Sequence, residues 1–454
     1  MTRSKTSAPS PARRVAFDVL RRVETESAYA SVLLASIARE TLSADDLALA
    51  TEITLGVLRW RKTLDHLIEL DSNRRIDRLD MPVVIALRIG LYQLRYLDRV
   101  PASAAVNESV KLVKYAKVAS AGSLVNAVLR RAAGRAKQAA GAELTDPLER
   151  LAVQLSHPRW LLERWVGLLG EQEAAQLAAA NNLPPATAFR INVRSSANTA
   201  LALLETEGVR ARPSPLVDGA FVVESGRITP DSEAVTRGLI YLQDEASQAV
   251  SLMLDPQPGE RVLDLCAAPG SKTTHIASLA RDQAWVIACD LRPRRLLTLT
   301  ASCRRLGLTS IDALAADAGE PLPFAERSVH FDRVLVDAPC SGTGTLRQNP
   351  EIRWRLAGND IARLSQLQLM LLGRGSLLVR DGGRLVYSTC SIEPEENEDV
   401  VSQFLRQNPQ FRVTPPRNDQ GISPELITKS GFMRTFPHRH GTDGFFAAVL
   451  QRQE

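Results

Sequence analysis

RVLDLCAAPGSKTTHI, residues 261–276, reads as a strand, a sharp loop and a helix. Val262, Leu263 and Leu265 supply the apolar run, and Pro269-Gly270 allows a tight turn. Small Ala267 and Ala268 let a ligand come close to the backbone. This is the pattern of the first βα turn in an open, Rossmann-like sheet. Two nucleotide motifs are excluded. A dinucleotide fingerprint needs Gly-x-Gly-x-x-Gly, and the stretch has Gly270 alone. Gly270-Ser271-Lys272-Thr273 imitates the end of a P-loop, but Cys266 and Ser271 stand where that motif needs glycine. What remains suits a nucleoside without a pyrophosphate.

On either side of this stretch, strands and helices alternate from about residue 239 to the end. Strands are expected at 262–265, 285–289, 313–316, 332–336 and 383–388, with a final apolar run, FFAAVL, at 445–450. Repeated β-α-β is the signature of a doubly wound, mostly parallel sheet. Asp290 closes the second strand twenty positions after Gly270 (290 − 270), where an acid can bind ribose hydroxyls. Asp317 closes the third strand and Asp337 the fourth. Acids ending successive strands on one sheet edge line a single crevice.

The same edge carries sulfur. FDRVLVDAPCSGTGT, residues 331–345, breaks from a strand into a loop with Asp337 and Cys340 three positions apart. Fifty positions on (390 − 340), another strand ends in Thr389-Cys390-Ser391. Both thiols follow a strand in a Gly/Ser/Pro loop, where α/β sheets place their chemistry. Cys266 reads as a small residue beside the cofactor loop, and Cys289 and Cys303 as buried packing. Five cysteines without a Cys-x-x-Cys pair argue against a zinc site or a disulfide framework, and for a reducing compartment. No metal is expected.

The chain has 454 residues, 44% hydrophobic and 24% charged, with a net charge of +5. That length calls for two or three domains, and the charge permits a polyanionic partner. The start is polar and basic, with no apolar run long enough to span a membrane, so a cytoplasmic protein is expected. Residues 1–11 read as loose. Residues 1–140 form a bundle of six or seven short helices, with Ser43 as an N-cap candidate. Its cationic groups, Arg59-Trp60-Arg61-Lys62, Lys111/Lys114/Lys117 and Arg130-Arg131, are either solvated faces or an RNA-binding surface. Residues 141–238 form a helical linker and a small α+β module, whose Arg190 and Asn192 face RNA or solvent. Residues 239–454 form the α/β catalytic domain. Arg292, Arg294, Arg295, Arg347, Arg353 and Arg355 lie near the active edge as phosphate-binding candidates. Trp354 reads equally as a stacking face and as a core residue.

The motifs at 263–273, 337–344 and 388–391, followed by Glu395-Glu396-Asn397-Glu398, resemble those of the RNA cytosine-C5 methyltransferases. The helical part resembles the NusB antitermination-factor fold. Together the two are similar to the bacterial RsmB (Fmu/Sun) enzymes, which modify cytosine 967 of 16S ribosomal RNA. The resemblance implies an all-α NusB-like domain, a small α+β module and a Rossmann-like class I methyltransferase domain. It implies S-adenosylmethionine as cofactor, held by Cys266, Ala267, Ala268, Pro269, Gly270, Ser271, Lys272, Asp290, Asp317 and Asp337. One departure is Ser271, where the family usually has glycine. Cys390 is implied as the nucleophile on C6 of cytosine, Asp337 as the partner of the ring edge, and Cys340 as the aid to product release. The residues alone do not rank the thiols, because DNA cytosine methyltransferases use a Pro-Cys thiol like Cys340. Action on transfer RNA, or a non-catalytic RNA-binding or assembly role, stays open at this point.

Overall fold

The computed structural model describes residues 8–26, 28–37, 42–135, 139–323 and 329–453. Residues 1–7 of the stretch expected to be loose lie outside them. The chain forms two compact units: Met1–Pro184 with Leu346–Leu356, and Pro185–Thr345 with Ala357–Glu454.

The first unit is helical. Seven α-helices run between Pro11 and Gly134 among the described residues, and three more span Pro147–Gln154, Arg159–Leu169 and Glu171–Ala180. Residues 141–184, read from the sequence as part of a linker, therefore fold with the bundle. Ser43 caps the helix Ala44–Arg59, its Oγ accepting from Asp46 N at 3.1 Å. Helix Met81–Tyr96 has buried residues all round from Val83 to Gln93, so its apolar spacing is less strict than that of a surface helix. Gly56 is needed where this helix crosses Ala44–Arg59, because a Cβ there would lie 1.9 Å from Tyr92 Cζ.

Two expectations fail in this unit. Arg59 is buried, Trp60 stacks on Tyr96 at 4.8 Å, Arg61 pairs with Glu24 at 3.2 Å and Lys62 with Glu149 at 2.9 Å. That cationic group is packing. Arg347 and Arg353 are buried and Arg355 half-buried, so these three do not present free charges to phosphates. Segment Leu346–Leu356 instead serves the helix ends, whose last carbonyls and first amides lack partners within the helix. Arg353 donates to Ser156 O (3.2 Å), Asn181 O (3.0 Å) and Asn182 Oδ1 (2.9 Å). Trp354 Nε1 donates to Leu58 O at 2.6 Å, which makes it a packing residue. Arg355 donates to Val23 O and Ala28 O, and Glu351 Oε1 accepts from Ala30 N at 2.8 Å.

The second unit holds two sheets. The small one comprises β1 (Ala188–Ile191), β2 (Arg210–Pro213), β3 (Ala220–Ser225) and β4 (Ile240–Leu242), antiparallel in the order β2-β3-β1-β4. β4 lies beyond residue 238, where the sequence reading ends the module. Helix Ala197–Thr206 packs Ala200 and Leu204 on Phe189 and Ile240. Arg190 and Asn192 face neither RNA nor solvent. Arg190 donates to Gln243 Oε1 and Thr274 Oγ1, both at 2.9 Å, and Asn192 Nδ2 to Gly238 O (2.8 Å) and Leu306 O (2.9 Å). These are the polar groups that fasten the small sheet to helices Ser271–Leu279 and Pro293–Leu306.

The large sheet contains β5 (Arg261–Asp264), β6 (Trp285–Asp290), β7 (Ile311–Ala315), β8 (Phe331–Asp337), β9 (Val379–Thr389), β10 (Phe411–Val413), β11 (Met433–Arg434) and β12 (Phe446–Arg452). Its order is β10-β12-β9-β8-β5-β6-β7, with β11 beside β12. Strands β5 to β9 are parallel and β12 runs antiparallel to β9. Alternate residues fill two cores: Leu263, Val334 and Leu385 on one face, Val262, Leu335 and Val386 on the other. From β5 the chain winds outward through β6 and β7, then returns to lay β8 on the other side of β5. Ligands of such sheets sit at the carboxyl ends of the strands where the order reverses. Among the described residues, no helix is long and apolar enough to cross a membrane.

Candidate active site

Strands β8 and β9 pair in parallel with Asp337 opposite Ser388, so their following loops leave from one edge. Ala338 N donates to Ser388 O at 2.9 Å and Gly344 N to Cys390 O at 3.0 Å, which ties the two loops together. The result is a Cys340 Sγ–Cys390 Sγ distance of 3.3 Å, with both residues partly accessible. The hydrogen bond with Cys390, followed by burial, pushes the Cys340 thiol well above its ordinary pKa.

Asp337 stands beside the thiols at the switch point. Its Oδ2 lies 2.7 Å from Lys272 Nζ, and its Oδ1 accepts from Ser388 Oγ at 2.7 Å. Lys272 sits in the first turn of helix Ser271–Leu279, its ammonium 5.0 Å from the Phe445 ring centre. Burial draws the Lys272 pKa down, but the charge and hydrogen bond of Asp337 outweigh it and the net shift is upward. The lysine expected in the cofactor loop thus reaches across to the thiol side.

The cofactor half is built from main chain. Gly270 has φ 106°, and a Cβ on it would meet Leu299 Cγ at 2.7 Å. Asp290 accepts from Ala268 N (Oδ2, 3.1 Å) and from Arg292 N (Oδ1, 2.9 Å), which fastens the loop to the end of β6. Asp317 is exposed just past β7, its Oδ1 accepting from Gly319 N at 2.8 Å. Asp264, which the sequence alone did not single out, ends β5 fully buried. It accepts from Thr273 Oγ1 at 2.7 Å, its Oδ1 is without a partner, and burial pushes its pKa up to about 7. Burial also raises Cys266 well above the ordinary thiol range. Arg292, Arg294 and Arg295 are exposed at the start of helix Pro293–Leu306, and Arg295 also donates to Ala268 O.

This donor set suits S-adenosylmethionine. Carboxylates at the ends of β5 and β6 offer acceptors to hydroxyl and amino groups, including one buried oxygen with no partner. Ala267, Ala268 and Gly270 leave no side chain in the way of the loop's backbone. Among the described residues, no cluster of three or more His, Cys, Asp or Glu could hold a metal ion.

A doubly wound sheet with acid-tipped strands and a glycine-pinned first loop defines a class I methyltransferase. The sequence comparisons name the branch. Residues 251–451 match the family model of the 16S rRNA methyltransferase RsmB/F, residues 10–134 that of the NusB family, and residues 157–228 that of the RsmF/B-like ferredoxin-like domain. A probable ribosomal RNA small subunit methyltransferase B of Synechocystis is 38% identical over 97% of this chain and 99% of its own. The Bacillus subtilis protein so described is 33% identical over 97% and 98%. Among crystal structures, PH0851 superposes with a TM-score of 0.82 at 30% identity, covering 98% of this chain and 99% of that one. A methyltransferase homologue from Pyrococcus horikoshii gives 0.58 at 31%, covering 68% and 100%. The chain belongs to the RsmB/F family of 16S rRNA methyltransferases, and it is an S-adenosylmethionine-dependent RNA methyltransferase.

Proposed function

We propose that the protein methylates C5 of a cytosine in 16S ribosomal RNA in the cytoplasm, through a covalent bond between Cys390 and C6 of the base. Position 967 is the target that the resemblance suggests. The observation that carries this reading is the pair of thiols 3.3 Å apart just past the carboxyl ends of β8 and β9. Carbon 5 of cytosine is a poor nucleophile. Adding a thiolate to C6 pushes electron density onto C5 and N3 and splits one difficult step into two easier ones. Lys272 Nζ donates to Asp337 Oδ2 at 2.7 Å, and the pair can hold the ring edge where charge develops. By the resemblance Cys390 attacks, and Cys340, with its sulfur 3.3 Å away, aids its expulsion once C5 loses its proton. Asp290, Asp317 and the loop from Cys266 to Lys272 would hold the cofactor, which supplies an electrophilic methyl group when bound. The base must leave its stack to reach such a site, which favours a single-stranded loop or hairpin.

The test is transfer of labelled methyl from S-adenosylmethionine to RNA, with bisulfite mapping of total RNA from cells with and without the protein. One protected cytosine in 16S RNA that disappears without the protein is expected. Protection confined to transfer RNA would reassign the substrate, and label without bisulfite protection would overturn C5 as the acceptor.

A further inference from the structure

We infer that Glu396 is the positioning residue that sets the two thiols against each other, a role that rests on the covalent reading of Cys390 and Cys340. Glu396 is fully buried in the turn Pro394–Glu396, just before helix Glu398–Gln407. Its carboxylate takes four hydrogen bonds from uncharged donors. Oε1 accepts from Ser341 N (2.8 Å) and Gln368 Nε2 (2.9 Å), and Oε2 from Ser341 Oγ and Ser391 Oγ. Gln368 Nε2 also donates to Pro339 O at 2.9 Å. The residues on both sides of Cys340 are thus held by Glu396, directly or through one glutamine.

The neighbours of Cys390 are held from the same turn. Ser391 Oγ reaches Glu396, while Asn397 Oδ1 accepts from Thr389 Oγ1 at 2.5 Å and Asn397 Nδ2 donates to Ser391 O at 2.9 Å. Glu396 touches neither sulfur. It grips what flanks each one and leaves both free to react. Taking a carboxylate out of water is costly unless its lone pairs are filled, and here one group fills them from both thiol loops. An apolar side chain cannot replace it. Glutamine keeps one acceptor oxygen for Ser341 N and Gln368 Nε2 and turns an NH2 toward Ser341 Oγ and Ser391 Oγ, which can rotate to accept, whereas alanine removes every acceptor at once.

The probe is diamide, a diazene oxidant, applied to the full-length enzyme. The Cys340 and Cys390 thiols together lose two protons and two electrons to form one disulfide, while the N=N bond is reduced to a hydrazine. Closure is followed by mass spectrometry of the two peptides. Glu396→Ala should slow closure about 10-fold and lower kcat about 100-fold, with KM for RNA and cofactor affinity each within about twofold, the pattern of a misplaced reacting group. Glu396→Asp, which keeps the charge, should recover part of both rates. Closure as fast as in the parent enzyme overturns the assignment, and so does a loss seen only in KM. If Glu396→Ala does not fold, the Ser341→Ala/Ser391→Ala double variant, which removes two of the four donors, must show slower closure, and an unchanged rate overturns the inference. Failure of the covalent reading is read separately: methylation by Cys390→Ala would remove that reading and leave the closure rates of the Glu396 variants untouched.

Discussion

The two halves of the carboxyl edge of the large sheet are built in different ways. At β5 and β6 the contacts join positions nearer in sequence and use main-chain groups: Asp290 accepts from Ala268 N and Arg292 N, and Gly270 is required by its fit against Leu299. At β8 and β9 they join side chains that are distant in sequence. Cys340 meets Cys390 across 50 positions, Lys272 meets Asp337 across 65, and Ser388 meets Asp337 across 51. A pocket of backbone amides shares its work among many weak contacts. A reacting pair depends on single atoms. Substitutions in the thiol half should therefore abolish steps, and those in the cofactor half should weaken binding or shift stability.

The largest effect is expected at Cys390. Cys390→Ala removes the atom proposed to attack, so methyl transfer should fall on the order of 10⁴-fold and no covalent RNA complex should form. Cys340→Ala should fail differently. Attack and methylation proceed, expulsion does not, and methylated RNA stays attached as a slow band on a denaturing gel when cofactor is supplied. If Cys390→Ala traps the adduct and Cys340→Ala abolishes it, the roles are exchanged. Full activity in both would remove the contrast between the two halves.

Asp264 tests the other half through stability. Its carboxyl titrates near 7 in the folded chain and near 3.8 when free. Below about pH 4 both states are protonated. Between the two values the native state keeps a proton that the unfolded chain has released, so this group's contribution declines as pH rises and is lost above about 7. Asp264→Asn, which still accepts from Thr273, should flatten that slope and stabilise the cofactor-free enzyme at pH 8 by roughly 1–4 kcal/mol. Denaturant unfolding at pH 5 and pH 8 measures it, and an equal pH slope in parent and variant contradicts the burial argument.

The smallest effect belongs to Asp290. Asp290→Ala should weaken cofactor binding by about 1–3 kcal/mol, the scale of hydrogen bonds to a charged group. Calorimetry decides the matter, and unchanged affinity would break the assignment of this half to the nucleoside.

Local spacing carried much of this molecule. The βα turn at residues 261–276, the five parallel strands and the strand-end positions of Asp290, Asp337, Cys340 and Cys390 are all readable from apolar runs that stop at Gly, Pro and Asp. A strand's direction and the loop after it follow from a few neighbouring residues, and parallel pairing then puts the loops on one edge. Ser43 as a cap belongs to the same class, because the bond it makes is three residues long.

What local spacing could not carry is the fate of buried polar groups. Arg353 and Arg355 looked like phosphate ligands and proved to serve helix-end carbonyls far away in the chain. Arg190 and Asn192 looked exposed and are buried between sheet and helices. Asp264 and Glu396 stand inside motifs that carry the family resemblance but were not singled out as site residues, since spacing does not show which acid of a motif is buried. The reason is one of range. An unsatisfied donor or acceptor must find a partner wherever folding brings one, and that partner is chosen by the packing of elements hundreds of residues apart. Chain order put two cysteines on one edge. Only the packed structure brought their sulfurs to 3.3 Å and closed a buried carboxylate behind them.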